Sequence, residues 1–172
     1  MASMRDIKRR KVGIQSTQQI TKAMKLVSTV KLQRAKTKAE RSKSYFQCMY
    51  DTVSSILARS GNINHPYLKA GDSSKKAVIL ITSNRGLAGG YNSNVVKLIT
   101  RNEDMKKEDL LIYAVGKKGR DTLKRHGFEI KEDYAEIINE PLYADAKMIS
   151  DVVLKAFSDG EVGEIYLAYT SF

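Results

Sequence analysis

The stretch Ala77-Val-Ile-Leu-Ile-Thr-Ser-Asn-Arg-Gly-Leu-Ala-Gly-Gly-Tyr-Asn92 decides the fold: a continuous apolar run over 77–82, then a glycine-rich loop. An unbroken apolar run of strand length reads as a strand buried on both faces, the pattern of a parallel sheet. Leu110-Leu-Ile-Tyr-Ala-Val115 repeats it. Between the two runs, residues 92–101 have helical patterning, and 117–126 do so again before Phe128-Glu-Ile130. Residues 144–157 predict a third helix, with Ala146, Ile149, Val153 and Phe157 on one side, and Ile165-Tyr-Leu-Ala-Tyr-Thr170 predicts a last strand. Strands alternating with helices imply a small Rossmann-like α/β domain over 77–172 with a mostly parallel sheet.

Upstream, residues 61–76 are rich in Gly, Asn, Asp, Ser and Lys, the composition of a linker. Before them, from Met4 to Ser60, there is no proline and only one glycine, Gly13. As one helix this stretch would reach ~84 Å. Alternate steps of three and four from Met4 to Ile56 land on apolar residues at ten of sixteen positions, the repeat of a supercoiled helix. The seam weakens at Gln18, Thr21, Lys25 and Ser28, where a second stripe of Ile20, Ala23, Met24, Val27 and Val30 runs along a neighbouring face. Residues 1–60 therefore read either as one element of a helical bundle or as a shaft whose partner helix lies elsewhere. No later segment matches its length, as a bundle would require.

The charge separates the same two regions. The chain has 30 Lys and Arg against 19 Asp and Glu, a net charge of +11. Residues 1–43 alone hold 13 basic and two acidic side chains, so the remaining 129 residues balance to zero. A hydrophobic content of 42% with 28% charged residues is that of a globular chain rather than a disordered one. No apolar run approaches the roughly 20 residues of a membrane-spanning helix. The start, MASMRDIKRR, has no apolar core before a cleavage site, which argues against a secretory signal and for a reducing compartment.

Catalytic patterns are sparse. The single cysteine, Cys48, excludes a disulfide framework and a cysteine-cluster metal site, and His65 and His126 stand apart from each other. No nucleophile has a base and an orienting group beside it in the sequence. The 82–92 loop lies where nucleotide folds hold phosphate. Its glycines fall at 86, 89 and 90, however, and Gly90 is followed by Tyr91 and Asn92 instead of the lysine and hydroxyl residue of a phosphate-binding loop. A structural turn or a partner-contact loop is the default, with no cofactor expected. The basic run Lys8-Arg-Arg-Lys11 suits nucleic acid, a solvated surface or an acidic protein partner. Against nucleic acid, no aromatic residue precedes Tyr45, so bases would have no stacking platform.

The string IKRRKVGIQSTQQITKAMKLVSTVKLQRA, residues 7–35, resembles the N-terminal helix of the gamma subunit of rotary ATP synthase. SNRGLAGGYNSN at 83–94 and GKKGRD at 116–121 resemble two further motifs of that family. Relative to the family pattern, Lys11 replaces an aliphatic residue, Gly13 a serine, Asn84 an aspartate and Ala88 a cysteine. The resemblance implies a non-catalytic rotor subunit whose N-terminal helix pairs with a long C-terminal helix inside a hexamer of alpha and beta subunits. It implies that the α/β domain is a foot against the epsilon subunit and the ring of c subunits, peripheral to the cytoplasmic side of a bacterial membrane. It implies further that torque passes through the shaft and that ATP is made on beta.

Carried over by position, the resemblance places Lys22, Met24 and Lys25 against acidic lever loops of beta. It places Ile7, Lys8, Arg9 and Arg10 in the central cavity, and the loop with Arg85, Gly86, Leu87 and Tyr91 against the lower part of beta. The family chain continues past residue 172 into a second long helix, so the 172 residues alone are expected not to form a competent shaft. A nucleic-acid-binding α/β protein with a basic helical arm is the alternative.

Overall fold

The computed structural model describes residues 3–61, 63–69 and 71–171. The chain divides into two units, 1–63 and 64–172.

The first unit is one helix, α1, Met4–Arg59. Ser3 caps its start, its hydroxyl accepting from the Arg5 N–H, and Asp6 lies in the first turn, where a negative charge suits the helix dipole. At the other end the Ser60 N–H donates to the Ile56 carbonyl and Gly61 turns to φ 61°, the left-handed step that commonly ends a helix. No residue of α1 is buried. At the seam the Thr21 hydroxyl donates to the Thr17 carbonyl at 2.8 Å, and off it Thr17 and Thr29 bond the Gly13 and Lys25 carbonyls in the same way. With its hydroxyl so satisfied, Thr21 adds no free donor to the seam.

The second unit runs β1 (Lys76–Ile81), α2 (Tyr91–Thr100), β2 (Leu110–Val115), α3 (Lys117–Arg125), β3 (Glu129–Asp133), α4 (Tyr143–Ser158) and β4 (Glu164–Ala168). All three strand pairings are parallel and the sheet order is β3-β2-β1-β4, so the sheet expected to be mostly parallel is wholly so among the described residues. All six residues of β2 are buried, as its unbroken apolar sequence requires. The edge strand β3 reads Glu-Ile-Lys-Glu-Asp, and this charge discourages pairing with another chain.

Two apolar layers flank the sheet. On one face Val95, Val96 and Ile99 of α2 and Leu123 of α3 pack on Val78, Leu80, Ile112 and Ala114. On the other, Ile149, Val153 and Ala156 of α4 pack on Ala77, Leu111, Tyr113 and Val115. The stretch ahead of β1 is stitched to this unit: the Gly71 N–H donates to Gly163 O, the Gly163 N–H to Lys75 O, and the Tyr67 ring meets Phe157 edge-on at 6.1 Å. Order β3-β2-β1-β4 places the reversal of strand sequence at β1/β4, so the loop leaving β1 lies at the crevice where open α/β sheets commonly bind ligands.

Candidate partner-contact surfaces

The β1 exit is built around a clasp. Residues 82–84 leave the strand and cap α3 from outside that helix. The Gly119 N–H donates to the Thr82 hydroxyl at 2.9 Å, the Lys118 N–H to the Ser83 carbonyl at 3.0 Å and the Lys117 N–H to Asn84 Oδ1 at 2.9 Å. Three orphan donors of a helix start are thereby satisfied by three consecutive residues. The Asn84 amide then donates to Ala135 O at 2.7 Å, tying in the short turn Ala135–Asn139. The fit is close: a Cβ on Gly119 would stand 2.7 Å from Leu80 Cδ2 and from Thr82 Cγ2, and one on Gly116 2.0 Å from Thr82 O.

Asn92 closes the other end of the loop. Its Oδ1 accepts from the Ser83 N–H at 2.9 Å, its Nδ2 donates to Ser83 Oγ, and that hydroxyl donates to Arg85 O. Between these anchors Leu87 stands 97% exposed with φ 60°. A left-handed conformation costs a bulky residue about 1–2 kcal/mol. Strain of this kind persists only where the surroundings over-determine the backbone.

The clasp also bears on phosphate binding. At α3, the first three N–H groups already have acceptors from the chain itself, so that helix start holds no spare donors for an anion. Two of the cations beside it are compensated: Lys117 pairs with Glu136 at 3.1 Å, and Arg120 bonds Asp121 and Asp133, which together hold its guanidinium pKa above the ordinary value.

On α1 the expected contact residues are all exposed. Ile7 is followed by Lys8, Arg9 and Arg10 at 100° steps, so these four fan around the helix instead of sharing a face. Lys22 and Lys25, three apart, share one side, while Met24 falls with Ile20 and Val27 on another. On α1 Lys36 pairs with Glu40 at 3.7 Å, one turn apart. The structure thus groups Arg85, Gly86 and Leu87 in one loop, puts Tyr91 at the start of α2 just after it, and spreads the rest along α1. Sequence reading missed the clasp residues Thr82, Ser83 and Asn84. The spacing of Gly116 and Gly119 was the available signal, since paired glycines at a helix start mark a close approach of another segment.

Comparison with known proteins places these features. A family model described as ATP synthase matches residues 3–172. The chain is 66% identical over 172 residues to the ATP synthase gamma chain of Lachnoclostridium phytofermentans, covering 100% of itself and 59% of that protein. It is 39% identical to the ATP synthase gamma chain of Alkaliphilus metalliredigens, covering 98% of itself and 58% of the relative. It is 38% identical to a protein of Acetobacterium woodii named ATP synthase gamma chain, sodium ion specific, covering 99% of itself and 56% of the relative. The chain thus spans a little under three fifths of the length of these relatives. A match across both the basic helix and the α/β unit leaves one assignment, and the chain belongs to the ATP synthase gamma-chain family.

Proposed function

We propose that this chain works as part of the central rotor of an ATP synthase, transmitting torque between an ion-driven ring of c subunits and a catalytic hexamer of alpha and beta subunits. One observation carries the reading: α1 runs 56 residues without burying any of them, yet bears an apolar seam. An apolar seam left exposed along a helix marks a surface for a partner. Ile14, Leu32, Phe46, Val53 and Ile56, all exposed, would each contribute about 1.5–3 kcal/mol if fully covered. Coverage by a second rotor helix and by the inner wall of the hexamer accounts for both apolar stripes.

The net charge then has a role. Thirteen basic residues among the first 43 favour an acidic inner surface on beta. Lys22, Met24 and Lys25 meet the lever loops, Ile7 to Arg10 enter the central cavity, and the β1 exit loop faces the lower part of beta. The α/β unit stands on the epsilon subunit and the c ring, peripheral to the cytoplasmic side of the bacterial membrane. No helix among the described residues is long and apolar enough to cross it.

Such a shaft does no bond chemistry. A catalytic subunit distinguishes rotor angles only through unequal contacts, and moving a two-state equilibrium from 1:99 to 99:1 takes about 5.5 kcal/mol of differential binding. Two unequal stripes and patchy charge supply that inequality at several contacts at once.

Copurification provides the test. The chain is extended with the part of the L. phytofermentans relative that the match leaves uncovered, and is expressed with alpha and beta subunits. Stable co-assembly and coupled ATP synthesis are expected of the extended protein, and no coupled synthesis of the 172 residues alone. Salt-sensitive DNA binding without any affinity for the hexamer would instead favour a basic nucleic-acid-binding arm.

A further inference from the structure

We propose that Leu87 is the apolar anchor of the loop after β1, seating in an apolar pocket with an acidic rim on the catalytic hexamer, and that Asn84 positions it. The inference rests on the rotor reading above and assigns that loop contact to one side chain.

Three observations converge on Leu87. Its side chain is 97% exposed, so it contributes no packing to its own unit. Its backbone is held at φ 60°, where leucine is strained and glycine is not. Glycines stand at 86, 89 and 90, so a glycine-rich turn is broken by a bulky apolar residue at the position where glycine would fit best. A residue that strains the fold and packs against nothing within it points outward to a partner.

The surroundings indicate the chemistry of that partner. Arg85 is exposed two residues away, and the aliphatic stem of Lys118 lies 3.8 Å from where a Cβ on Gly86 would stand. An apolar tip beside two cations matches an apolar pocket bordered by carboxylates. Anchors of this kind act best when preorganised, and the loop is held at both ends: Asn92 closes one side on Ser83, and Asn84 bridges the Lys117 N–H and the Ala135 carbonyl on the other. The carboxamide serves both, its oxygen accepting one bond and its NH2 donating the other.

The test uses the subunit extended with the L. phytofermentans remainder and the alpha–beta hexamer, with affinity and thermal midpoint measured for each variant. Leu87→Gly is expected to leave the midpoint of the free subunit unchanged or higher while weakening hexamer binding about tenfold. Leu87→Asn, which tolerates the same backbone without adding flexibility, should weaken it equally. Asn84→Asp keeps the acceptor for Lys117 and loses the donor to Ala135. It should weaken binding in the native background and add nothing on top of Leu87→Gly.

Binding by Leu87→Gly and Leu87→Asn within about twofold of the unsubstituted protein would overturn the anchor, and equal losses from Asn84→Asp in both backgrounds would overturn its positioning role. If the unsubstituted subunit binds and the Leu87 variants bind as well, only this inference falls. If the unsubstituted subunit does not bind the hexamer, the rotor reading falls and the inference with it.

Discussion

Along α1 the side-chain hydrogen bonds are local, as in Thr21 to Thr17 and Gln47 to Asp51, each four residues apart. In the α/β unit local bonds are joined by others that reach across the chain, 37 residues from Gly119 to Thr82 and 51 from Asn84 to Ala135. The helix is specified locally and leaves its apolar residues open, whereas the α/β unit closes its own core and even its helix caps. The information that completes α1 therefore belongs to other surfaces, and the information that completes the foot is already in it. On the proposed rotor reading this division is functional. A shaft must present contacts that change with angle, and the part that carries them must not deform.

The most severe test of this contrast is Gly116→Ala. The residue has φ 116°, and an added Cβ would stand 2.0 Å from Thr82 O, backbone that has no room to yield. Loss of about 4 kcal/mol or more is expected, enough to abolish a cooperative denaturant transition of the α/β unit. Helicity from α1 should persist under the same conditions. Collapse of both together would show that α1 depends on the foot.

A matched pair of truncations comes next. Leu123→Ala removes a side chain with 0% exposure from between α3 and the sheet, and should cost about 3 kcal/mol in urea denaturation. Leu32→Ala, at a seam position 61% exposed, should change the same measurement by no more than about 0.5 kcal/mol. In the assembled complex the order should reverse for affinity, with Leu32→Ala the more damaging. A large stability loss from Leu32→Ala in the free chain would break the assignment of the seam to outside partners.

The two regions also differ in how much their sequences disclose. The length of α1 and its seam follow from periodicity alone, and β1 and β2 follow from unbroken apolar runs, because burial on both faces leaves no alternative composition. β3 has no such signature, since an edge strand needs only one apolar contact, here Ile130. The charge of the shaft was legible for the same local reason. The clasp was not: Thr82, Ser83 and Asn84 are ordinary loop residues until the sheet brings α3 against them. Nor was the strain at Leu87, which depends on both ends of the loop being held. Contacts made by single residues of a helix can be read from sequence as exposed positions. Contacts made by a loop need the long-range bonds that shape it.

The smallest expected effect lies at the β4 edge and concerns pH. Glu164 accepts from the Tyr166 hydroxyl at 2.8 Å and pairs with Lys76 at 3.3 Å, and these partners, the phenol first, hold its carboxyl below its usual value of 4.5. A lowered folded pKa means that the stabilisation is present above the unfolded value and is lost as pH falls through the folded one. Lys76 is shifted upward chiefly by the same carboxylate, so its share is present below 10.5 and fades above it. The pair should thus stabilise the α/β unit across neutral pH and weaken it on the acid side. Because Glu164 is exposed and Lys76 only partly covered, the effect is modest and declines with added salt. Glu164→Gln should flatten the fall in thermal midpoint between about pH 5 and 3 while leaving α1 helicity unchanged. An acid slope that survives the substitution undiminished would assign the loss to other carboxylates and leave β4 held to β1 by its backbone ladder alone.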